Sequence, residues 1–148
     1  MARTFTLTSP AFRNGASIPT AYTCDGKNFS PPLRWTAPPK RTRSFALLMD
    51  DPDAPSGTFT HWIGWNIPAQ ARSIPRAAHA PVEGANGAGR PGYTGPCPPS
   101  GPAHHYVFRL YALNAKLRLA RGAGVAAFKS ALRGHVLATA KLTGRYGR

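Results

Sequence analysis

Ser44-Phe45-Ala46-Leu47-Leu48-Met49-Asp50-Asp51-Pro52-Asp53 is an apolar run followed directly by acidic residues, and it is the most informative segment of this chain for the fold. The run before the first Asp is almost continuously apolar, which is typical of a strand covered on both faces. Pro52 and Pro55 cannot donate hydrogen bonds to a sheet, so strand pairing should stop there. We therefore expect Asp51 and Asp53 to lie in a stiff loop at a sheet edge.

This acidic cluster stands in a strongly basic chain. There are 19 Lys and Arg residues against 5 acids, a formal net charge of +14, and three of the acids are Asp50, Asp51 and Asp53. Two like charges about 6 Å apart repel by roughly 3 kcal/mol at an effective dielectric near 20. The cluster therefore needs a cation, a shared proton or histidine partners. His61 and His104 are the candidates.

Further strands are predicted on both sides of this stretch. Residues 4–8 alternate with period two, and residues 33–35 form a short strand between turns. Residues 58–67 and 106–113 are rich in aromatic and β-branched residues, which favour strands. Because the Asp loop joins the central strand to residues 58–67, His61 should lie near the carboxylates.

Residues 81–102 contain six glycines and six prolines. This composition excludes a helix and most of a strand. Such a stretch is usually a linker or disordered. However, it leads directly into His104 and a strong strand, and we interpret it as a rigid loop that holds a ligand.

After Asn114 the pattern changes to that of helices. Apolar residues recur at helical spacing in two short groups that flank Gly134. The groups are Val125, Phe128, Leu132 and then Val136, Leu137, Ala140. Many strands followed by helices, without alternation, predict a mainly β protein: an antiparallel β-sandwich or open barrel with short C-terminal α-helices, as a single domain over residues 1–148.

Composition also suggests where the protein works. No stretch of 18 apolar residues is present, and the first five residues lack an apolar signal region, so we expect a soluble cytoplasmic protein. Cys24 and Cys97 are too few for a disulfide scaffold and lack zinc-site spacing. We predict free thiols, with a contact between the two cysteine loops left open.

The sequence pI of about 11.1 invites a nucleic-acid interpretation. The basic residues are scattered along the whole chain, and no helix-turn-helix, ribonucleoprotein or zinc-finger signature accompanies them. We therefore predict a basic surface that steers anions, without specific nucleic-acid binding.

Several motifs carry a family resemblance. Residues 50–55 with Thr60-His61-Trp62 resemble the first signature of the phosphatidylethanolamine-binding protein (PEBP) family. Residues 92–101 with His104-His105-Tyr106 resemble the second. Residues 23–26 with 30–35, and residues 134–138 with 142–146, resemble the compact bacterial branch, called YbhB/YbcL-like or Raf-kinase-inhibitor-like. The resemblance covers nearly the whole chain.

The resemblance implies a PEBP-like β-sandwich whose two signature loops line a small pocket for phosphate or a phosphoethanolamine-like head group. It implies a binding or regulatory protein, such as a kinase-inhibitor-like module, with kinases or other signalling proteins as partners, and a homodimer. No catalysis, metal or cofactor is indicated. The implied ligand-binding residues are Asp51, Asp53, His61, Cys97, Pro98, Pro99, His104 and Tyr106.

One position departs from the family pattern. His105 stands where the family commonly has Arg. Without the guanidinium, ion pairing between this position and the motif aspartates should be weaker, which affects the rigidity or charge balance of the loop.

The pocket chemistry must overcome a repulsion, because carboxylates repel phosphate. Asp51 must therefore share a proton, orient a histidine or accept from a ligand ammonium. Protonated His61 or His104 would supply the attraction, so ligand binding should tighten as the pH falls toward about 6.

Plainer interpretations stand beside this one. Asp51 and Asp53 could be turn formers, His61 a satisfied core histidine and Tyr106 a core residue. A divalent-metal-dependent hydrolase could use two Asp and two His, although the helical spacing of paired histidine ligands is missing. A protein-interaction module with a vestigial pocket would show an exposed apolar rim. A cysteine nucleophile is disfavoured because prolines bracket Cys97.

Overall fold

The structure is a computed structural model that describes residues 4–148. The predicted lack of a signal region involves residues 1–3, which lie outside the described residues. Within 4–148, no helix combines the length and apolar character needed to cross a bilayer.

The described residues form two antiparallel sheets, a 3₁₀ turn and an α-helix. The smaller sheet has strand order β1-β2-β5, and the larger has order β6-β4-β3-β7-β8. The strands are β1 Leu7–Thr8, β2 Leu33–Trp35, β3 Ser44–Asp51, β4 Phe59–Pro68, β5 Ser73–Ile74, β6 Val82–Glu83, β7 His104–Leu113 and β8 Val136–Tyr146; the 3₁₀ turn is Thr20–Tyr22 and the helix is α1 Val125–Leu132. The predicted mainly β fold class with antiparallel sheets is confirmed.

Strand β3 lies at the centre of the larger sheet, and all of its residues are buried. Its side chains alternate between two apolar clusters, as strand geometry requires. Phe45, Leu47 and Met49 pack in the cluster shared with the smaller sheet, while Ala46 and Leu48 pack in the cluster that includes α1. Burying each large side chain contributes roughly 1.5–3 kcal/mol. The prediction of a strand covered on both faces is confirmed.

Of the two predicted C-terminal helices, the structure contains the first. Helix α1 is present and ends before Gly134, which has a φ of 79° that suits a helix terminus. The prediction of a second helix is wrong, because residues 136–140 belong to strand β8. Ala140, Leu142 and Gly144 are buried at period two, and β8 pairs with β7 along almost its whole length. Pairing with that strand outweighs the local helical pattern.

The position of the Asp cluster also differs from the prediction. Strand pairing continues through Asp51, which pairs with Phe59 of β4, and the turn begins at Pro52. Because β3 is central, the cluster lies at one end of the sheet rather than along an edge strand.

The prediction of free thiols is wrong. Cys24 and Cys97 form a disulfide with their Cα atoms 5.4 Å apart and 73 positions apart in sequence. The two loops also meet through the backbone, where Cys24 N–H donates to the Pro96 carbonyl at 3.1 Å. Disulfides are rare in cytosolic proteins, so this one counts against the reducing compartment that the free-thiol prediction assumed.

Candidate functional site

A cavity of about 220 Å³ opens at the end of the larger sheet where β3 ends and β7 begins. Antiparallel neighbours bring the last residues of one strand beside the first residues of the next. All predicted site residues except Asp53 line this cavity. The full lining is Asp51, Ala54, Pro55, Phe59, His61, Thr94, Gly95, Cys97, Pro98, Pro99, His104 and Tyr106.

Asp51 and His104 form a largely buried pair in the cavity wall. The His104 Nδ1 atom lies 2.7 Å from Asp51 Oδ2, and the two side chains are 12% and 5% exposed. Asp51 Oδ1 also accepts the N–H of Asp53 at 2.8 Å. Asp51 is thus a turn former and the partner of a histidine at once. When ionised, it accepts the Nδ1 proton and leaves Nε2 of His104 free for a ligand.

Asp53 does not line the cavity. Its Oδ2 atom accepts the backbone N–H of His105 at 2.7 Å and lies 2.8 Å from His105 Nδ1. The backbone hydrogen bond from His105, followed by the side-chain hydrogen bond, lowers the pKa of Asp53. His105 therefore keeps a contact with a motif aspartate although it is not Arg. Both side chains are about half exposed, so the contribution of this pair to stability is small.

His61 is buried at the base of the cavity. Its Nδ1 atom donates to the Thr94 carbonyl at 2.6 Å, since a carbonyl oxygen can only accept. Its ring packs edge-on against Phe59 and Tyr106. Burial lowers the pKa of His61, although the Thr94 hydrogen bond and the charge of Asp51 oppose the shift. A neutral His61 works against the prediction that it supplies positive charge to a ligand.

The buried His61 predicts a pH dependence of stability. Because its pKa is lowered in the folded state, the unfolded chain binds the proton more readily. Its contribution is fully present above the unfolded pKa of about 6.5 and is lost as the pH falls through the lower folded value. We expect the free energy of unfolding, measured with urea, to decrease between about pH 7.5 and about pH 5.5.

The variant His61→Gln should reduce this dependence, because its amide can still donate to Thr94 but does not titrate. His135→Gln is the matched control, since His135 is partly exposed to solvent and its side chain hydrogen-bonds to Asn114 outside the cavity. The same pH profile in His61→Gln and the wild type would contradict the assignment.

Tyr106 contributes a hydroxyl that has no internal partner. The side chain is fully buried, and within residues 4–148 its Oη atom makes no hydrogen bond. Burial raises the pKa of Tyr106, and the charges of Asp51 and Asp53 raise it further, so the hydroxyl keeps its proton. Its ring lies between those of His61 and His104. The cavity thus contains a buried donor that makes no hydrogen bond within the described residues, although the Asp51 carboxylate is near enough to raise its pKa.

The second motif loop is held rigidly against the cavity. Thr94 N–H donates to the His61 carbonyl at 3.0 Å, and the Tyr93 hydroxyl donates to the Tyr22 carbonyl at 2.6 Å. The Cys24–Cys97 disulfide ties the loop at a third point. These contacts confirm a fixed loop in place of the linker that its composition alone would suggest.

Gly95 allows this close approach. Its N–H donates to Asn28 Oδ1 at 2.9 Å, and a Cβ at this position would collide with that oxygen and with the Tyr22 carbonyl. We expect Gly95→Ala to lower the free energy of unfolding by about 1–3 kcal/mol, the usual range for overpacking. Urea unfolding would measure the change.

Gly124→Ala is the matched control for Gly95→Ala, because a Cβ at Gly124 meets no atom within 4 Å. Gly124→Ala should lower the free energy of unfolding clearly less than Gly95→Ala does, although Gly124 is the N-cap of α1. Equal losses in the two variants would show that the collision at Gly95 relaxes freely.

Comparisons with known proteins place this chain and its fold in a family. A family model described as phosphatidylethanolamine-binding protein matches residues 8–147. The chain belongs to this PEBP family. Its relatives include the UPF0098 protein of Methanothermobacter thermautotrophicus, 48% identical over 96% of this chain and 98% of the relative.

Solved structures agree with the PEBP assignment. CT736 from Chlamydia trachomatis superposes with a TM-score of 0.94 at 37% identity and covers 99% of both chains. Escherichia coli YbcL, described as a member of the mammalian PEBP family, superposes with a TM-score of 0.91 at 34% identity, covering 97% of this chain and 98% of its own.

Sequence reasoning missed part of this PEBP cavity. Phe59 was detectable, because it lies two residues before His61 on β4 and therefore on the same face. Thr94 and Gly95 had no signal beyond the Gly- and Pro-rich composition of their loop. Arg148 does not line the cavity, but its support of the second motif loop was also missed: its guanidinium donates to the Pro98 carbonyl at 3.4 Å and pairs with Asp25 at 3.2 Å, beside the disulfide.

The alternative of a metal-dependent hydrolase lacks geometric support in this PEBP structure. Within residues 4–148, no three His, Cys, Asp or Glu side chains come together as a metal site would require. The oxygens of Asp51 are engaged by His104 and the Asp53 N–H.

Proposed function

We propose that the cavity binds a phosphate monoester of head-group size, such as phosphoethanolamine, and that the protein acts as a binding or regulatory protein rather than an enzyme. The observation that carries this proposal is the Tyr106 hydroxyl, a buried donor in the cavity wall without a partner in the described chain. A buried donor left unpaired costs about 1–3 kcal/mol, and an anionic oxygen would satisfy it.

His104 supplies the second donor of the proposed site. Asp51 holds its Nδ1, so protonation adds a proton at Nε2, beside the cavity. A protonated His104 also offsets the charge of Asp51, which would otherwise repel phosphate. Of the three routes predicted for Asp51, orienting a histidine is the one that the contacts support.

The size and wall of the cavity support a small ligand. About 220 Å³ lies below the range of about 300–1,000 Å³ typical of drug-sized ligands. Phe59, Pro55 and Pro98 provide apolar walls, which exclude water and strengthen hydrogen bonds to an anion.

Two features argue for binding without catalysis. Cys97 is bonded to Cys24 and carries no thiolate, so it cannot act as a nucleophile. His61 donates a hydrogen bond from Nδ1 to the Thr94 carbonyl, and within the described residues no hydroxyl group hydrogen-bonds to its ring as a nucleophile would.

The interaction-module alternative receives less support. It predicted an exposed apolar rim around the cavity. In the described part of the chain, the exposed large hydrophobic residues are Val136 and Leu137. They begin β8, whereas the cavity lies beside its other end, where Tyr146 pairs with His104. Kinases, other signalling proteins and a homodimer remain predictions from the family resemblance.

A proton–nitrogen NMR titration tests the proposal. O-phosphoethanolamine, inorganic phosphate and ethanolamine would be added separately to the protein. We expect saturable shifts from the first two, confined to the segments around Asp51, His61, Cys97 and His104, and none from ethanolamine. Shifts that are absent, or that spread evenly over the surface, would refute the proposed site.

The pH dependence tests the role of His104 separately. Binding of O-phosphoethanolamine should tighten from about pH 8 to about pH 6 as imidazolium forms. The variant His104→Gln should bind more weakly and lose most of this dependence. An unchanged pH profile in His104→Gln would assign the charge to another group.

A further inference from the structure

A second cavity lies at the opposite end of the larger sheet. It measures about 700 Å³ and is framed by the segments before β3, after β4 and after β7. Ser44 pairs with both Pro68 and Leu113 there, at the other end of β3 from Asp51. With about 3.3 Å per residue, the two cavities are roughly 23 Å apart along the strand. The second cavity is therefore separate from the candidate site.

Three cations line this second cavity. They are Arg43, Lys116 and Arg118, accompanied by the polar side chains of Thr42, Gln70 and Asn114. Lys116 and Arg118 flank Leu117, whose side chain is buried in the core. In an extended segment, neighbours on either side of a buried residue point away from the core together.

None of these cations has a carboxylate partner within residues 4–148. All five acids of the chain are engaged elsewhere: Asp25 with Arg148, Asp50 with Arg109, Asp51 with His104, Asp53 with His105 and Glu83 with His79. The chain has no further side-chain carboxylate that could neutralise the second cavity. Three positive charges therefore face solvent in a concave surface, which concentrates the local potential.

The frame that carries these cations is fixed by hydrogen bonds. Asn66 holds the backbone of Leu117 on both sides: its amide donates to the Leu117 carbonyl at 3.1 Å and its oxygen accepts the Leu117 N–H at 2.8 Å. Arg43 N–H donates to the Leu113 carbonyl at 2.7 Å, and Ser44 Oγ donates to the Ala115 carbonyl at 2.7 Å. Little backbone ordering would therefore be needed on binding, which favours affinity.

We infer that this second cavity binds a small anion that carries two or more phosphate groups. One phosphate group carries roughly 1.5–2 negative charges and would leave part of the three positive charges uncompensated. Arginine forks suit phosphate oxygens bidentately, and the lysine adds a point charge. A nucleic-acid strand would need an extended basic track, whereas three connecting segments bound this cavity.

The test uses the whole protein and two probes. Tripolyphosphate represents a free polyphosphate, and vesicles containing a phosphoinositide bisphosphate represent a lipid head group, with phosphatidylserine vesicles of equal charge for comparison. Binding is followed by calorimetry and NMR at about 0.1 M ionic strength, where the Debye length is about 10 Å. Shifts should be confined to residues 42–43, 69–70 and 114–118.

Two charge-matched triple variants decide the outcome. The site variant is Arg43→Gln, Lys116→Gln and Arg118→Gln. The control is Arg13→Gln, Arg90→Gln and Lys141→Gln, three exposed positions that do not line the cavity. The site variant should lose at least about tenfold in affinity for the bound probe, equal to about 1.4 kcal/mol, and the control much less.

The probe that binds identifies the source of the phosphates. Equal losses in the two variants would mean that binding responds only to net charge, which would overturn the inference. The inference would also be overturned if neither probe binds saturably with a dissociation constant below about 1 mM, which corresponds to a binding free energy of roughly −4.1 kcal/mol.

Discussion

Reduction of the Cys24–Cys97 disulfide is expected to lower the free energy of unfolding by about 4 kcal/mol, because the bond closes a loop with a sequence separation of 73 residues. In the chain-entropy account, the bond removes conformations from the unfolded state, and the effect grows with the logarithm of loop length. Urea unfolding with and without reductant would measure the loss directly. A loss of this size is a large fraction of the stability of a typical domain.

The double variant Cys24→Ser, Cys97→Ser provides the control. It should be as unstable as the reduced wild type, and reductant should not affect it, since the chain has only these two cysteines. If reduction leaves the urea midpoint of the wild type unchanged, the bond does not constrain the unfolded chain as inferred.

Reduction should also weaken the candidate site. Cys97 lines the cavity, and its loop would then be held by backbone contacts such as the Cys24 N–H to Pro96 hydrogen bond. A less ordered loop pays more entropy on ligand binding, so the affinity for O-phosphoethanolamine should fall. The NMR titration, repeated with reductant and without urea, would detect this loss of affinity while the protein remains folded.

Replacement of Tyr106 by Phe is expected to weaken binding of phosphate-bearing ligands by about 10- to 150-fold. A hydrogen bond to a charged group contributes roughly 1.5–3 kcal/mol, and each 1.4 kcal/mol is about tenfold in affinity. The same change removes a buried hydroxyl that has no partner in the described chain. The unliganded variant should therefore be as stable as the wild type or more stable.

These opposite effects make Tyr106→Phe a sharp test, because a purely structural tyrosine would show neither. Affinity would be measured by NMR titration, and stability by urea unfolding without ligand. Tyr111→Phe is the matched control: Tyr111 lies on the same strand, packs in the cluster of α1 and does not line the cavity. Unchanged affinity in Tyr106→Phe would remove the main support for the proposed function.

Residue patterns alone predicted the central strand and its two neighbours in the sheet, whereas most of the cavity lining was predicted through the family resemblance of the two motifs. Local patterns were sufficient because strand β3 is buried on both faces and must be continuously apolar. The structure gives the physical reason for that lining, because antiparallel pairing brings the end of β3 beside the start of β7, where Asp51 and His104 meet.

The C-terminal strand, the disulfide and the contacts of each site group depend on long-range packing and became visible only in the folded chain. Residues 136–146 carry both helical and alternating patterns. They form a strand because their backbone pairs with the edge of β7 that β3 does not occupy. Two cysteines 73 positions apart give no pairing signal, because pairing depends on loops that meet in space. The burial that keeps His61 neutral and leaves the Tyr106 hydroxyl unpaired likewise comes from distant residues packed around them.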